Sequence, residues 1–301
     1  MLLTYRALKR RELGDRGQLG ASNSIFTPRT RAWERHFTIV RWDMRGAGRT
    51  FAAHGPAGQG ELTLDRLYAD ALEVTDHIRA RLGVPKVVLL ANSFGTVTGL
   101  RLARDHPERY SAYVGTDQNI IAGGTDSSAY DDLLARLRGA GKRRQLSRLT
   151  AMGPDPTSWS PEEWSCYAKT VTTTDPLTYD TMKTVVIRSL WFSPLHTLRD
   201  LRAYLKGMTF SEQLGPQAMS LDEYAEGTTF HLPVFLFQGA SDVLTPPEPA
   251  HRFHDQLTAP LKDFALIPDA SHFAAFRRPD VFLELLVGRV RPVVTGVGVD
   301  G

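Results

Sequence analysis

The sequence predicts an α/β fold: a mostly parallel sheet flanked by helices, with a helical cap inserted between two groups of sheet elements. Three observations predict it. Strand and helix patterns alternate over about eighty residues from residue 37. A polar, mostly helical block then occupies residues 119–230 without any parallel-strand rhythm. The rhythm resumes in two further strand-like runs, PVFLFQG and KDFALIP.

The first strand expected is FTIVRW at 37–42, β-branched and aromatic, ahead of the glycine-containing turn DMRGAGRTF. Leu64, Leu67, Ala71, Leu72, Ile78 and Leu82 recur at helical spacing, Gly83 ends that helix, and Pro85 opens the next connection. KVVLLA is continuously apolar, as a strand buried on both faces of a parallel sheet must be. After NSFG, the positions of Val97, Leu100 and Ala103 predict a helix to Asp105, stopped by Pro107. YSAYVG at 110–115 reads as another strand, and the succession requires right-handed crossovers. Within 119–230, segments such as YDDLLARLRGAGKRRQL and LRDLRAYLKGM, linked by MGPDPTSWSPEEW, read as a cap or lid over one end of the sheet. Beyond it come a strand at 233–239, a helix from Pro247 to about Leu257, the strand KDFALIP and a last helix near 280–290. The domain reading is an atypical segment at 1–32, core at 33–118, cap at 119–230, core at 231–292 and a glycine-rich tail at 293–301 that is expected to fray.

With 301 residues, 42% of them hydrophobic, the chain can build one large domain or one domain with an insertion. Its 36 basic and 33 acidic residues give a formal charge of +3, too little to indicate a nucleic-acid partner. The basic run at 6–16 also contains Glu12 and Asp15 and lacks interleaved aromatics, so it reads as a solvated segment. No stretch approaches the ~20 apolar residues of a membrane span. The first residues lack the apolar region of a secretory signal, and the expected location is cytoplasmic. A single cysteine, Cys166, leaves no partner for an internal disulfide and no cluster for a metal.

Functional residues in open α/β sheets gather beyond the carboxyl ends of strands. Ser93, in ANSFG, follows the KVVLLA strand and directly precedes a helix, the setting in which a sharp turn projects a nucleophilic hydroxyl. Ala91 stands where the usual elbow pattern has glycine, and the bland alternative is that Ser93 only caps the helix. A serine nucleophile needs a base, and the base an orienting carboxylate. Asp242 lies beyond PVFLFQG, in ASDVLTPP, and His272 lies beyond KDFALIP, in DASHFAAF. Three such residues at three strand ends assign Ser93 as nucleophile, His272 as base and Asp242 as its orienting acid. Asp117, after YSAYVG, is a weaker candidate for the acid and fits a loop or pocket role better; Asp269 fits the turn beside His272. His251 and His254 share a helix face, but no Glu or Cys completes a metal site there. The glycines at 46–48 lack dinucleotide spacing or a Walker lysine, and Trp159 and Trp164 read as cap-packing anchors that could also line a pocket.

Taken together, these segments resemble the α/β-hydrolase superfamily, in its proline iminopeptidase-like branch, over residues 37–292. WDMRGAGRT is similar to the family's turn after its fourth strand, ANSFGTVTGLRLARDHPERY to its elbow and following helix, QGASDVLTPP to its acid turn and DASHFAAF to its histidine turn. The resemblance implies cofactor-free hydrolysis through an acyl-enzyme, no metal, and a small peptide or ester as substrate, with neither nucleic acid nor membrane as partner. In that branch the substrate is a peptide with a free N-terminal residue, often proline, whose amine is met by acidic groups of the cap. Glu162, Glu163, Glu212 and Glu223 are the cap acids here, and none is matched to that role. Esterases use closely related scaffolds; epoxide hydrolases fit worse, because their elbow nucleophile is aspartate. One departure stands out. The residues before Trp33 read RRELGDRGQLGASNSIFTPRTRA, without the glycine loop that donates one oxyanion N–H in the family. The N-terminal strands are therefore expected to be missing or degenerate, as in a truncated or frame-shifted start, the alternative being a natural variant that uses another donor. The backbone N–H of Phe94 remains as the assignable oxyanion donor. A degenerate, impaired member of the family is the competing expectation, since loss of one such donor can cost ~10²–10³ in turnover.

Overall fold

Six strands form one sheet in the computed structural model, which describes residues 2–4, 23–122, 127–192 and 197–296. They are β1 Leu2–Thr4, β2 Thr38–Val40, β3 Val87–Asn92, β4 Tyr110–Thr116, β5 Val234–Gly239 and β6 Lys262–Ile267, in the spatial order β2-β1-β3-β4-β5-β6. From β3 to β6 every pairing is parallel, with β3 beside β4 and β5 between β4 and β6. Parallel neighbours need crossovers, and helices supply them: Gly95–Asp105 between β3 and β4, Pro247–Gln256 between β5 and β6.

All six positions of β3 are buried, as its unbroken apolar run predicts. Its side chains alternate between two cores. Leu89 and Ala91 pack with Leu100 of the Gly95–Asp105 helix, Ala71 of the Leu64–Leu82 helix and Phe253. Val88 and Leu90 face the other way, toward Trp33, Phe282 and Leu286. The sheet is thus the middle of three layers. The Leu64–Leu82 helix has the bounds its periodicity predicts, started by the Thr63 hydroxyl and stopped by Gly83 in the left-handed conformation.

The start of the chain departs from the rest of the sheet. β1 is three residues long and runs antiparallel to both neighbours, pairing Leu3 with Ile39 and Leu2 with Leu89. This is the reduced form that the sequence led one to expect of the N-terminal strands. Residues 23–35 are better integrated than their arginine content suggests. Ile25, Phe26 and Trp33 are buried, and Trp33 stacks on Phe282 with centroids 5.1 Å apart while donating its indole N–H to the Pro279 carbonyl. The basic run at 6–16 lies outside the described residues.

Between β4 and β5 the described residues contain helices and no strand, only two isolated bridges, Ala122 to Asp222 and Thr229 to Thr258, the last residue lying beyond β5. The helices Ser128–Gly139, Arg143–Met152 and Pro161–Thr174 enclose their own core around Trp159 and Leu137, which reaches Val243 and Leu244 beside Asp242. The cap therefore packs against the loop carrying a candidate site residue. At the far end the helical path continues through Arg291–Thr295, so residues 293–295 correct the expectation of a frayed tail from 293. The reason is local: proline is tolerated in a first helical turn, and Val293 and Val294 pack on the second core. No described helix is long and apolar enough to cross a membrane.

Candidate active site

Ser93 sits between β3 and the Gly95–Asp105 helix with φ of 51°, a left-handed conformation costly for a residue with a Cβ. Its N–H donates to the Thr116 carbonyl of the neighbouring strand at 3.0 Å, and its carbonyl accepts from Thr96 N–H at 2.8 Å. Pinned on both sides, the turn holds its hydroxyl outward. The replacement of glycine by Ala91 has a structural answer. A Cβ placed on Gly99 would lie 2.7 Å from the Ala91 Cβ and 3.1 Å from the Tyr113 ring, so Gly99 supplies the room that Ala91 uses. Alanine is the better helix former by about 1 kcal/mol, but overpacking costs about 1–3 kcal/mol. Gly99→Ala is expected to lower stability in urea denaturation, and its cost to fall by about 1 kcal/mol or more in an Ala91→Gly background. Equal cost in both backgrounds would reject the contact.

Asp242 and His272 arrive from the turns after β5 and β6. Gly239 lets these turns converge, because a Cβ there would meet the Ser271 carbonyl oxygen at 2.5 Å. His272 Nε2 lies 2.8 Å from Ser93 Oγ, and its Nδ1 lies 2.9 Å from Asp242 Oδ2. The Asp242 side chain is fully buried, yet none of its charge is left without donors. Oδ1 accepts the Leu244 and Thr245 N–H groups at 2.9 and 3.0 Å, and Oδ2 accepts the Thr245 hydroxyl at 2.7 Å. Burial opposes a charged His272, but the charge and hydrogen bond of Asp242, with the charge of Asp117, outweigh it and raise its pKa to about 9.

Asp117 joins this group. It is wholly buried, with φ of 48°, and accepts from Phe273 N–H at 3.1 Å, Ala274 N–H at 3.2 Å and the Asn92 side-chain amide. It ties the turn after His272 to the ends of β3 and β4, the loop role expected of it rather than that of the orienting acid. Burial pushes its carboxyl up to about 7, against the pull of the His272 charge. Ligand atoms of Asp117, Asp242 and His272 all lie within 4.8 Å of one another. Their oxygens already accept N–H and O–H groups and His272 Nδ1 already faces Asp242, so the donor set fits a shared proton better than a cation.

Asn92 and Thr245 were not singled out by sequence reasoning. For Thr245 a signal existed, a threonine three residues after the acid in DVLT, the spacing of a side-chain-capped turn; Asn92 carried none. The Phe94 N–H, expected as an oxyanion donor, is the first amide beyond Ser93 and donates to no acceptor among the described residues. The segment in which a second donor was sought lies largely outside those residues.

The remaining candidates separate cleanly. Asp269, with φ of 54°, shapes its turn and pairs with Arg278 at 3.5 Å. His251 and His254 stack on each other, and Phe264 meets His251 edge-on and His254 at a tilt. The turn at 46–48 is built around Asp43, whose carboxylate accepts Arg49 N–H and would clash with any Cβ on Gly48. Trp159 is buried edge-on against Trp164, with centroids 4.9 Å apart, which makes it a packing residue of the cap. Among the cap acids, Glu163 closes a capping box with Ser160, Glu162 and Glu212 are exposed, and Glu223 is buried.

A sheet with its candidate nucleophile, acid and base beyond the ends of β3, β5 and β6 defines a class. The chain belongs to the α/β hydrolase fold family, whose sequence model matches residues 21–279. The match begins within the segment that buries Phe26 and Trp33, ahead of residue 37 where the motifs begin. Among curated proteins it is similar to "Probable aminopeptidase YbaC" of Bacillus subtilis strain 168, 22% identical over 261 residues, covering 86% of this chain and 81% of that one. Among solved structures it is similar to the enol-lactonase of Burkholderia xenovorans LB400, with TM-score 0.58, 19% identity and 96% of each chain covered. It is also similar to a thermophilic esterase of Thermogutta terrifontis, with TM-score 0.58, 15% identity, and 93% and 89% covered. At these identities the structural likeness is one of fold.

Proposed function

We propose that the chain is a serine hydrolase working through an acyl-enzyme, with Ser93 as nucleophile, His272 as general base and acid, and Asp242 as the group orienting His272. The observation that carries this reading is the continuous line of hydrogen bonds, 2.8 Å from Ser93 to His272 and 2.9 Å from His272 to Asp242. In the proposed cycle His272 Nε2 takes the Ser93 proton as Oγ attacks a carbonyl carbon. The Phe94 N–H and the start of the following helix stabilise the oxyanion. His272 then gives its proton to the leaving group, and water repeats the sequence to release the acid.

Within that chemistry we favour an aminopeptidase-type substrate, a peptide losing its N-terminal residue, of proline type. The support is the likeness to YbaC over most of both chains together with the WDMRGAGRT and ANSFG segments. A fluorophosphonate probe is expected to label the protein and to lose all labelling in Ser93→Ala. A folded wild-type protein that takes no label would sink the reading and leave an impaired family member. Proline aryl-amides run beside short acyl esters then decide the substrate, with amide turnover expected and ester-only turnover replacing the peptidase by an esterase.

A further inference from the structure

We propose that a cavity on the flank of the elbow helix is a second binding site, one that takes a small organic ammonium ion bearing an apolar tail. The cavity, of about 540 Å³, lies between the Leu64–Leu82 and Gly95–Asp105 helices and the end of the cap. None of Ser93, Asp242 or His272 lines it. Its size is that of a small-molecule pocket.

Glu223 is the group that calls for a ligand. It lines the cavity, is only 2% exposed, and its Oε1 has no hydrogen-bond partner. A native interior rarely leaves such an atom unsatisfied without a missing partner. The lining carries four carboxyls, Glu61, Asp65, Glu223 and Glu226, against the guanidinium groups of Arg101 and Arg104. Both guanidinium groups are spoken for, Arg101 by Asp65 at 2.5 Å and Arg104 by Glu226 at 2.9 Å. An anion therefore finds no uncommitted cation, whereas a cation finds Glu223. The acids are also too dispersed for a metal ion: among the described residues, close ligand atoms gather at Asp117, Asp242 and His272 instead. Leu64, Val97 and Leu221 give the cavity apolar walls, which suit an organic ammonium better than a hydrated inorganic cation.

Binding has a recognisable proton signature. Burial holds the Glu223 carboxyl up at about 8; Arg104 pulls it down, Glu226 and Asp222 push it up, and the buried Tyr113 hydroxyl lies within its field. At pH 7 Glu223 is mostly protonated, and an arriving ammonium ion must displace that proton. The probe is n-butylammonium chloride, titrated calorimetrically into the full chain at pH 7 in two buffers of different ionisation enthalpy. One saturable site is expected, releasing about one proton per ion bound. Glu223→Gln, which keeps the shape, is expected to weaken binding about tenfold or more and to abolish the proton release. Leu221→Trp, which fills the cavity and leaves Glu223 in place, is expected to block binding as well. Thermal melts establish that both variants are folded. No saturable binding by the wild type, binding without proton release, or undiminished binding by folded Glu223→Gln would each overturn the proposal.

Discussion

His272→Ala is expected to lower turnover of the substrate identified by the amide and ester panel by about 10⁶-fold. The size follows from what the ring does at both ends of the proposed cycle. Ser93 Oγ has the His272 Nε2 as its hydrogen-bond partner at 2.8 Å, so its removal leaves the hydroxyl near its ordinary acidity, without an acceptor for its proton or a donor for the leaving group. Substrate binding does not depend on either step, so the loss falls on kcat and leaves KM close to its original value. The fold is expected to survive. Asp242 keeps the Leu244, Thr245 and Thr245 hydroxyl donors when the ring is gone, and Asp117 keeps the Phe273 and Ala274 amides. Ser93→Ala combined with His272→Ala is expected to be no worse than either alone, because the two side chains act as one unit. A folded His272→Ala protein retaining most of the wild-type turnover would remove His272 from the chemistry.

What the sequence showed and what it hid follow a physical division. Local periodicity was legible: the Leu64–Leu82 helix matches its predicted bounds, and the fully buried β3 matches KVVLLA. That Ser93, Asp242 and His272 come together was legible because each follows a strand pattern. The contacts that hold them were not. Asn92, Asp117 and the Phe273 turn meet only when the sheet brings the ends of β3, β4 and, across β5, β6 to one edge, and nothing within any one segment records that. The Ala91–Gly99 contact is likewise a property of how the elbow helix lies against β3. Phe26 and Trp33 escaped because their segment is short helical turns with no sustained period, and its arginines suggested solvent. β1 escaped because a three-residue strand is too short to show alternation; its place is set by partners on both sides.

Asp242→Asn is expected to reduce kcat by about 10⁴-fold, and the hydrogen bonds around it say why so small a change costs so much. Oδ1 receives two backbone N–H groups, from Leu244 and Thr245, so the oxygen of the asparagine amide must take that position. Its NH₂ then falls where Oδ2 was, facing His272 Nδ1. Thr245 can turn its hydroxyl to accept there, which leaves the reversed amide without penalty. A donor against Nδ1 makes that nitrogen the acceptor and puts the ring proton on Nε2, the atom that must receive the Ser93 proton. The pH dependence should move as well. The proposed cycle needs neutral His272, whose pKa is raised to about 9 with Asp242 in place, so wild-type turnover is expected to climb with pH toward that value. In Asp242→Asn the climb is expected at lower pH, with a much lower plateau. Stability carries the same sign. An unfolded imidazole releases its proton near ~6.5, so the stabilisation from this pair is full below that pH and is lost as pH rises through about 9. Thermal melts should show that loss in the wild type and a flatter profile in Asp242→Asn. A variant with an unshifted pH–rate profile would mean that Asp242 does not set the charge of His272.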